Sequence, residues 1–117
     1  MALRNLMAKW TRSIEDLDRE DLSRFCDGHG FAPLDAIEPR SRVEAGGEVS
    51  SCRIVPRAGA DALEVTFTDG RGFATAVFLG RRKIAGLHPG KRIAVQGVVA
   101  LHGRQRILYN PEWSFVA

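Results

Sequence analysis

The sequence has few of the residues that staple or anchor small proteins. Only two of its 117 residues are cysteines, which is too few for a disulfide framework and favours two buried thiols over a bridge between Cys26 and Cys52. No apolar run reaches the roughly 18 to 20 residues that span a bilayer. Arg4, Asn5 and Lys9 interrupt the N-terminus, so it lacks the apolar stretch of a secretory signal. We therefore expect one cytoplasmic domain with no membrane partner.

The sequence also lacks the patterns that carry catalysis or hold a cofactor. It has no Gly-x-Ser-x-Gly context, and the Gly-Lys at residues 90–91 is followed by arginine rather than serine or threonine. Cys26 and His29 have the spacing of a metal-binding pair, but the other histidines and Cys52 are scattered. The sequence thus predicts a protein that is not an enzyme, with no metal and no cofactor.

Charge is divided unevenly along the chain. The net charge of +3 comes from 17 Lys and Arg against 14 Asp and Glu, and most of the basic residues are arginine. Residues 1–38 carry a net charge of −3, whereas residues 39–117 carry +6. A basic body with an acidic N-terminal segment favours a polyanion, such as nucleic acid, as the partner of the body.

The first forty residues have the apolar period of a helix. A stripe with spacings of three and four consists of Leu3, Leu6, Met7, Trp10 and Ile14. A second apolar set, expected to form one buried face, consists of Leu17, Leu22, Phe25 and Cys26. Capping patterns at residues 13–16 and 18–21 leave open whether there are one or two helices. Gly28 and Gly30 predict the end of the helical segment.

The stripe from Leu3 to Trp10 has three alternative roles. It can pack on the chain's own body, which we favour, or pair with a second copy or another protein. A membrane-surface helix is disfavoured, because the stripe is flanked by only three cationic residues.

From residue 42 the apolar period changes to two, which is the period of β-strands. Five strands are predicted, over residues 42–55, 63–68, 73–79, 92–99 and 104–109. The glycine-rich segment 69–72 predicts a tight hairpin between the second and third strands. Residues 81–84 predict a single helical turn, and His102-Gly103 predicts a turn between the last two strands.

This order of elements predicts a mainly β fold. A long first strand bent through Gly46-Gly47, followed by four short strands, is typical of the five-stranded oligonucleotide/oligosaccharide-binding (OB) barrel. We assign the barrel to residues 39–117 and one or two α-helices to residues 1–38. A five-stranded SH3-like barrel is the alternative, and the helical turn after the third strand favours the OB fold.

Four motifs follow the strands, at Val77-Phe78-Leu79-Gly80, Leu87-x-Pro89-Gly90-Lys91, Val95-x-Gly97 and Tyr109-Asn110-Pro111-Glu112. They resemble the wedge OB domain of RecG-type branched-DNA helicases. They are still more similar to the small stand-alone OB-fold nucleic-acid-binding proteins of high-GC Gram-positive (actinobacterial) bacteria. The resemblance covers residues 42–113 and implies binding of single-stranded or branched DNA, rather than RNA, in repair or replication. It implies no ATP-dependent activity, since no helicase motor is present.

Strand alternation divides the side chains of the second and third strands between two faces. Those expected to point inward are Leu63, Val65, Phe67, Ala74, Ala76 and Phe78. Those expected to point outward are Glu64, Thr66, Thr68, Phe73, Thr75 and Val77. OB barrels bind ligands on this outer face, between the loop that joins strands one and two and the loop that joins strands four and five. The predicted nucleic-acid-binding residues are therefore Arg53, Arg57, Thr66, Arg71, Phe73, Thr75, Arg104 and Arg106.

Two alternatives remain open for this surface. Phe73 is either a platform on which a base stacks or a cap that packs on the barrel beneath the N-terminal helix, and any single arginine can be an ordinary solvated charge. The protein can also be an interaction module that uses the barrel face and the N-terminal helix, as a homodimer or with another protein.

Overall fold

The computed structural model describes residues 2–57 and 59–117, with side chains from residue 14 onward. One helix, α1 (Ala2–Gly28), precedes the strands. The strands are β1 (Arg42–Arg57), β2 (Ala60–Thr68), β3 (Phe73–Leu79), β4 (Arg92–His102), β5 (Gln105–Tyr109) and β6 (Glu112–Phe115). No helix in these ranges is long and apolar enough to cross a membrane.

The N-terminal segment forms one continuous helix, so both predicted internal starts lie within α1. Polar residues are tolerated there because ion pairs three residues apart stabilise an exposed helix surface. Asp16 pairs with Arg19 at 3.3 Å, and Asp21 pairs with Arg24. The helix ends where predicted: the N–H of Phe31 donates to a carbonyl of the last turn, and Gly30 takes a positive φ of 73°.

The described side chains of α1 pack on the barrel through the last two turns of the helix. Leu22 and Cys26 are buried in a small cluster with Phe31, and burial raises the pKa of the Cys26 thiol to about 11. Leu17 is 56% exposed, so the predicted buried face is wrong at that position. Leu17 lies more than one turn before Leu22 and outside the cluster of Leu22, Cys26 and Phe31. The stripe from Leu3 to Trp10 lies outside the described side chains.

The strands form a closed sheet because β1 pairs at both of its ends. The strand order is β1-β2-β3-β5-β4, and β4 pairs again with the N-terminal half of β1. All of these pairs are antiparallel except β3 with β5. The main core lies inside the sheet, and all six side chains that were predicted to point inward belong to it. One helix before a closed sheet of five strands agrees with the predicted OB-like fold.

The predicted bend in the first strand lies where β1 changes partner. Glu48 pairs with both Arg92 of β4 and Thr68 of β2. Just before it, Gly46 lies against the ring of Phe31, and Gly47 lies against the carbonyl of Thr68, so neither position has room for a Cβ. The two strands can close on β1 because these glycines allow backbones to approach.

The structure differs from the prediction at two short elements. Residues 81–84 form no helical turn; the segment from Gly80 to Lys91 is a series of turns in which Gly86 and Gly90 take positive φ. The additional strand β6 continues β5 along the same edge of β4, since Leu108 pairs with Val99 and Glu112 pairs with Gln96. It was missed because Pro111 looked like a terminator, but a proline that precedes a strand removes no ladder hydrogen bond.

Candidate functional site

A row of outward-facing side chains crosses three strands of the barrel. Glu64 of β2 is opposite Val77 of β3, and Val77 is opposite Tyr109 of β5. Arg53 of β1 is paired with Glu64 and extends the row. The neighbours of these residues along each strand, including Val65 and Leu108, lie in the main core, so the row faces outward by alternation.

Glu64 is the centre of an ion-pair cluster on this outer face. It accepts a hydrogen bond from Arg57 Nε at 2.9 Å, and Arg53 Nη2 lies 3.5 Å from its other oxygen. The two arginines leave Glu64 only 8% exposed, although its side chain points outward as predicted. The hydrogen bond to Glu64 raises the pKa of Arg57 above the ordinary arginine value. Both arginines are therefore held on the outer face.

Arg57 extends from this cluster to the ring of Tyr109. Its Nη1 donates to the Tyr109 hydroxyl at 3.3 Å, and its guanidinium carbon lies 5.8 Å from the ring centroid. Because Glu64 and Tyr109 are on either side of Val77, the Arg57 side chain crosses Val77. This explains why Val77 points outward, as predicted, and is nevertheless fully buried, in a small cluster with Ala62 and Ile107.

Tyr109 also contacts the loop between β4 and β5. Its hydroxyl oxygen lies 3.2 Å from His102 Nε2, and the two rings meet edge to face at 6.3 Å. Tyr109 thus connects the bases of both loops that flank the predicted binding face, and it remains 39% exposed. Tyr109 and His102 were not among the predicted site residues. Alternation along the fifth strand, with Leu108 inward, was the signal that could have identified Tyr109.

Phe73 is exposed on the same face as Tyr109. It is 59% exposed, so it is not buried beneath the N-terminal helix. Between the two aromatic residues, the hydroxyls of Thr66 and Thr75 lie 3.1 Å apart across β2 and β3. Tyr109 is paired with Val77, which lies four positions along β3 from Phe73. The rings of Phe73 and Tyr109 are therefore roughly 14 Å apart.

Arg71 lies at the hairpin but is directed to the helix. Its guanidinium forms two hydrogen bonds with the Asp27 carboxylate, at 2.8 and 2.6 Å. These bonds hold the pKa of Asp27 below its usual range and raise that of Arg71. Ser23 of α1 adds a hydrogen bond to the carbonyl of Asp69 at 2.9 Å. The structure therefore joins Arg71 to α1 and not to the Tyr109 face.

The last two predicted arginines have different positions. Arg104 is exposed at the tip of the β4–β5 hairpin, two residues after His102, the last residue of β4. Arg106 alternates with Ile107, so it is on the side of the sheet that holds the core residue Leu108. Its Nε is buried and has no hydrogen-bond partner among the described residues. Of this pair, Arg104 is the one beside the outer face.

Residues of the motifs at 77–80, 95–97 and 109–112 contact one another at the end of β3, and these contacts stabilise the fold. Asn110 takes a positive φ of 47°, its N–H donates to the carbonyl of Val77, and its side-chain oxygen accepts from the N–H of Leu79. Pro111 lies against Gly97, where a Cβ would be 3.6 Å from the proline ring. These contacts join β3, the end of β5 and β4 at Gly97. They fix the backbone immediately after Tyr109 and so help to position that residue.

The described residues contain no group of three or more His, Cys, Asp or Glu side chains that could hold a metal ion. Cys26 instead donates to the carbonyl of Gly46 at 3.6 Å, and His29 stacks on Phe31. Both cysteines are free thiols, and Cys52 is half-buried.

Comparison with known proteins identifies a similar fold. No family model and no curated protein matches the chain. A solved structure of RecG bound to a three-way DNA junction superposes with a TM-score of 0.60 at 19% sequence identity. The match covers 71% of this chain but only 12% of the RecG chain. This chain is therefore similar in fold to one small part of RecG.

Proposed function

We propose that this protein is a non-catalytic nucleic-acid-binding protein that holds single-stranded or branched DNA on the outer face of β2, β3 and β5. One observation carries the proposal. Two exposed aromatic rings, Phe73 and Tyr109, share a single face with Arg53 and Arg57.

The chemistry of this face suits a single strand. An exposed aromatic ring stacks on any base, with about 1–3 kcal/mol per base. An arginine fork pairs with a phosphate through two hydrogen bonds. Glu64 and Tyr109 hold Arg57 in an extended position, so less side-chain entropy is lost when a phosphate binds. Two arginines and one glutamate leave this cluster with a net charge of +1.

DNA is favoured over RNA by two likenesses. The similar RecG structure was solved with a three-way DNA junction, and the motifs resemble stand-alone OB-fold proteins of high-GC Gram-positive bacteria. We further propose that the protein acts on chromosomal DNA in the cytoplasm, in repair or replication. The match to RecG covers 12% of that chain, so we propose no share in its other activities.

Fluorescence anisotropy with labelled single strand, duplex, three-way fork and RNA of equal length tests the proposal. We expect micromolar or tighter binding at low salt, strongest for the single strand or the fork. Tyr109→Ala should weaken it, whereas Phe115→Ala, which removes another exposed ring on β6, should not. Equal affinities for the two variants, or no binding by the unaltered protein, would contradict the proposal.

The second candidate is a protein-interaction module, as a homodimer or with another protein. Ile14 and Leu17 favour it, because both are exposed on α1 and large apolar side chains at adjacent helix positions suit a protein contact. Light scattering over a range of protein concentrations tests self-association. A constant monomer mass would exclude the homodimer, and a mass that rises to twice the monomer would support it.

A further inference from the structure

We propose that the bound strand continues past Tyr109 into a groove on the outer face of β4, where Arg42 contacts a phosphate and Gln96 the edge of a base. We call it the β4 groove. The inference rests on the proposed function, but it assigns Arg42 and Gln96, which are not among the predicted nucleic-acid-binding residues.

The row of outward-facing side chains does not end at Tyr109. Val99 of β4 pairs with Leu108, so Val98 lies beside Tyr109 on the next strand. Val98 in turn pairs with Arg42 at the start of β1. Arg42 is thus two strand spacings from Tyr109, roughly 10 Å across the sheet, and a strand of nucleic acid that leaves Tyr109 reaches it within one or two nucleotides.

A concave surface joins these residues. The β4 groove has a volume of about 470 Å³, and both Tyr109 and Arg42 line it. Its floor is apolar and includes Val98, which is 52% exposed. None of the ion pairs between described residues includes Arg42. The groove therefore offers an apolar floor, an aromatic wall and a guanidinium that is not held by a carboxylate.

The polar groups of the groove divide it into two ends. Arg42 is at the end near Val98, whereas Gln96, two positions along β4, lies between Glu44 of β1 and Glu112 of β6. The Glu112 carboxylate repels a phosphate but accepts from an exocyclic amino group of a base. The Gln96 amide both donates and accepts. The groove therefore fits a nucleotide with its phosphate at Arg42 and its base edge at Gln96, and it favours adenine, cytosine or guanine over thymine.

The opposite end of the binding face does not offer a similar path. A nucleic-acid strand that continued beyond Phe73 would approach α1. Residues 14–28 of this helix carry six acidic and two basic side chains, so the helix repels phosphates. Arg71, the arginine nearest to that end, is already bound by Asp27. The acidic helix thus disfavours a path beyond Phe73, and the path from Tyr109 to Arg42 remains open to the strand.

Salt dependence of binding tests the role of Arg42 with a matched control. Loss of one phosphate contact lowers the magnitude of the log–log salt slope by about 0.7 for a single strand. We expect this decrease for Arg42→Ala and none for Arg24→Ala, which removes an equal charge from an exposed position of α1. Thermal melts of both variants confirm that each is folded.

Base preference tests the other end of the groove. Oligonucleotides of dA, dC and dT of equal length should bind the unaltered protein with dT weakest, and Glu112→Leu, which removes the acceptor for an exocyclic amino group, should reduce that difference by about fivefold or more. Suppose that the protein binds DNA and that Tyr109→Ala weakens binding, while Arg42→Ala and Arg24→Ala keep equal salt slopes. The proposal that DNA binds in the β4 groove is then wrong, whereas the proposed function is unaffected. If the unaltered protein binds no nucleic acid, both proposals are wrong.

Discussion

Phe73 exposes most of its ring at the start of β3, where the alternation of the strand directs it away from the core. Burial of a phenylalanine side chain would contribute about 1.5–3 kcal/mol to stability, and here most of that contribution is absent. On the same face, the Tyr109 hydroxyl is hydrogen-bonded to Arg57 and His102, and part of its ring is exposed. The exposure of both rings is what the proposed binding role requires.

Phe73→Ala should weaken binding of a single strand by about 1–3 kcal/mol, because a base loses its stacking platform. Its effect on the free energy of unfolding should stay within about 0.5 kcal/mol, as for other exposed positions. Anisotropy titrations and urea melts measure the two quantities. A large loss of stability with unchanged affinity would return Phe73 to the role of a packing residue.

Glu64→Gln should tighten DNA binding and steepen its salt dependence. The carboxylate neutralises part of the charge of Arg53 and Arg57, whereas the amide of glutamine still accepts a hydrogen bond without adding a negative charge. Titrations at several salt concentrations measure both effects. Asp16→Asn, which removes the partner of Arg19 on α1, is the control for the change in net charge. Equal effects of the two variants would show that only the net charge matters, and not the ion pairs of Glu64 with Arg53 and Arg57.

At the scale of elements, α1 is held to the β2–β3 hairpin by an ion pair that responds to pH. The hydrogen bonds from Arg71 hold the pKa of Asp27 below its usual range. The ion pair therefore contributes stability above the unfolded pKa of about 4. This contribution is lost as the pH falls through the lower pKa of the folded state.

Asp27→Asn should lower the urea midpoint at pH 7, and the difference from the unaltered protein should fade as the pH drops below about 4. Asp16→Asn provides the matched control, since its pair with Arg19 lies on the exposed surface of the helix and such pairs contribute little. A midpoint difference that is the same at pH 7 and in strong acid would exclude the ion pair as its cause.

The elements that repeat a period over many residues were predictable from the sequence. The alternation in residues 63–68 and 73–79, separated by a glycine hairpin, identified β2, β3 and their inward faces. Short elements were not: β6 has four residues, which is too few to establish a period. The helical turn predicted at 81–84 was wrong: these residues are irregular, and they follow Gly80, whose positive φ of 75° does not start a helix.

The candidate site was only partly predictable, because its contacts depend on how the sheet closes. Alternation placed Thr66, Phe73 and Thr75 on the outer face, and Arg53 and Arg57 beside it. The contact from Arg57 to Tyr109, however, joins residues 52 positions apart, through the parallel pairing of β3 with β5. No local pattern encodes that register. Arg71 illustrates the same limit, since its partner Asp27 is 44 positions away.

At the scale of the whole molecule, the barrel is basic and the helix is acidic. Residues 39–117 carry +6 and residues 1–38 carry −3. A polyanion is therefore drawn to the barrel and away from α1, and the attraction is screened when salt shortens the range of the field.

The affinity for a single strand should fall as salt rises from about 50 to 200 mM, with a log–log slope near −0.7 for each phosphate contacted. If Arg53, Arg57, Arg42 and Arg104 each contact one phosphate, the slope should be near −3. Titrations at four salt concentrations provide the measurement, with sucrose as a control for changes in water activity. An affinity that does not change over this range would rule out phosphate contacts as its source.

The row that begins at Arg53 ends at Arg42 on the same strand, and the two residues are eleven positions apart on β1. Closure of the sheet therefore returns the row to β1 at a different height, as the stagger of strands in a barrel requires. A polymer that follows the row traces one turn of a screw rather than a ring, so its two ends leave at separate levels and do not collide. An interior stretch of a long strand can be held in this way, and a circular strand with no free end should bind as well as a linear one.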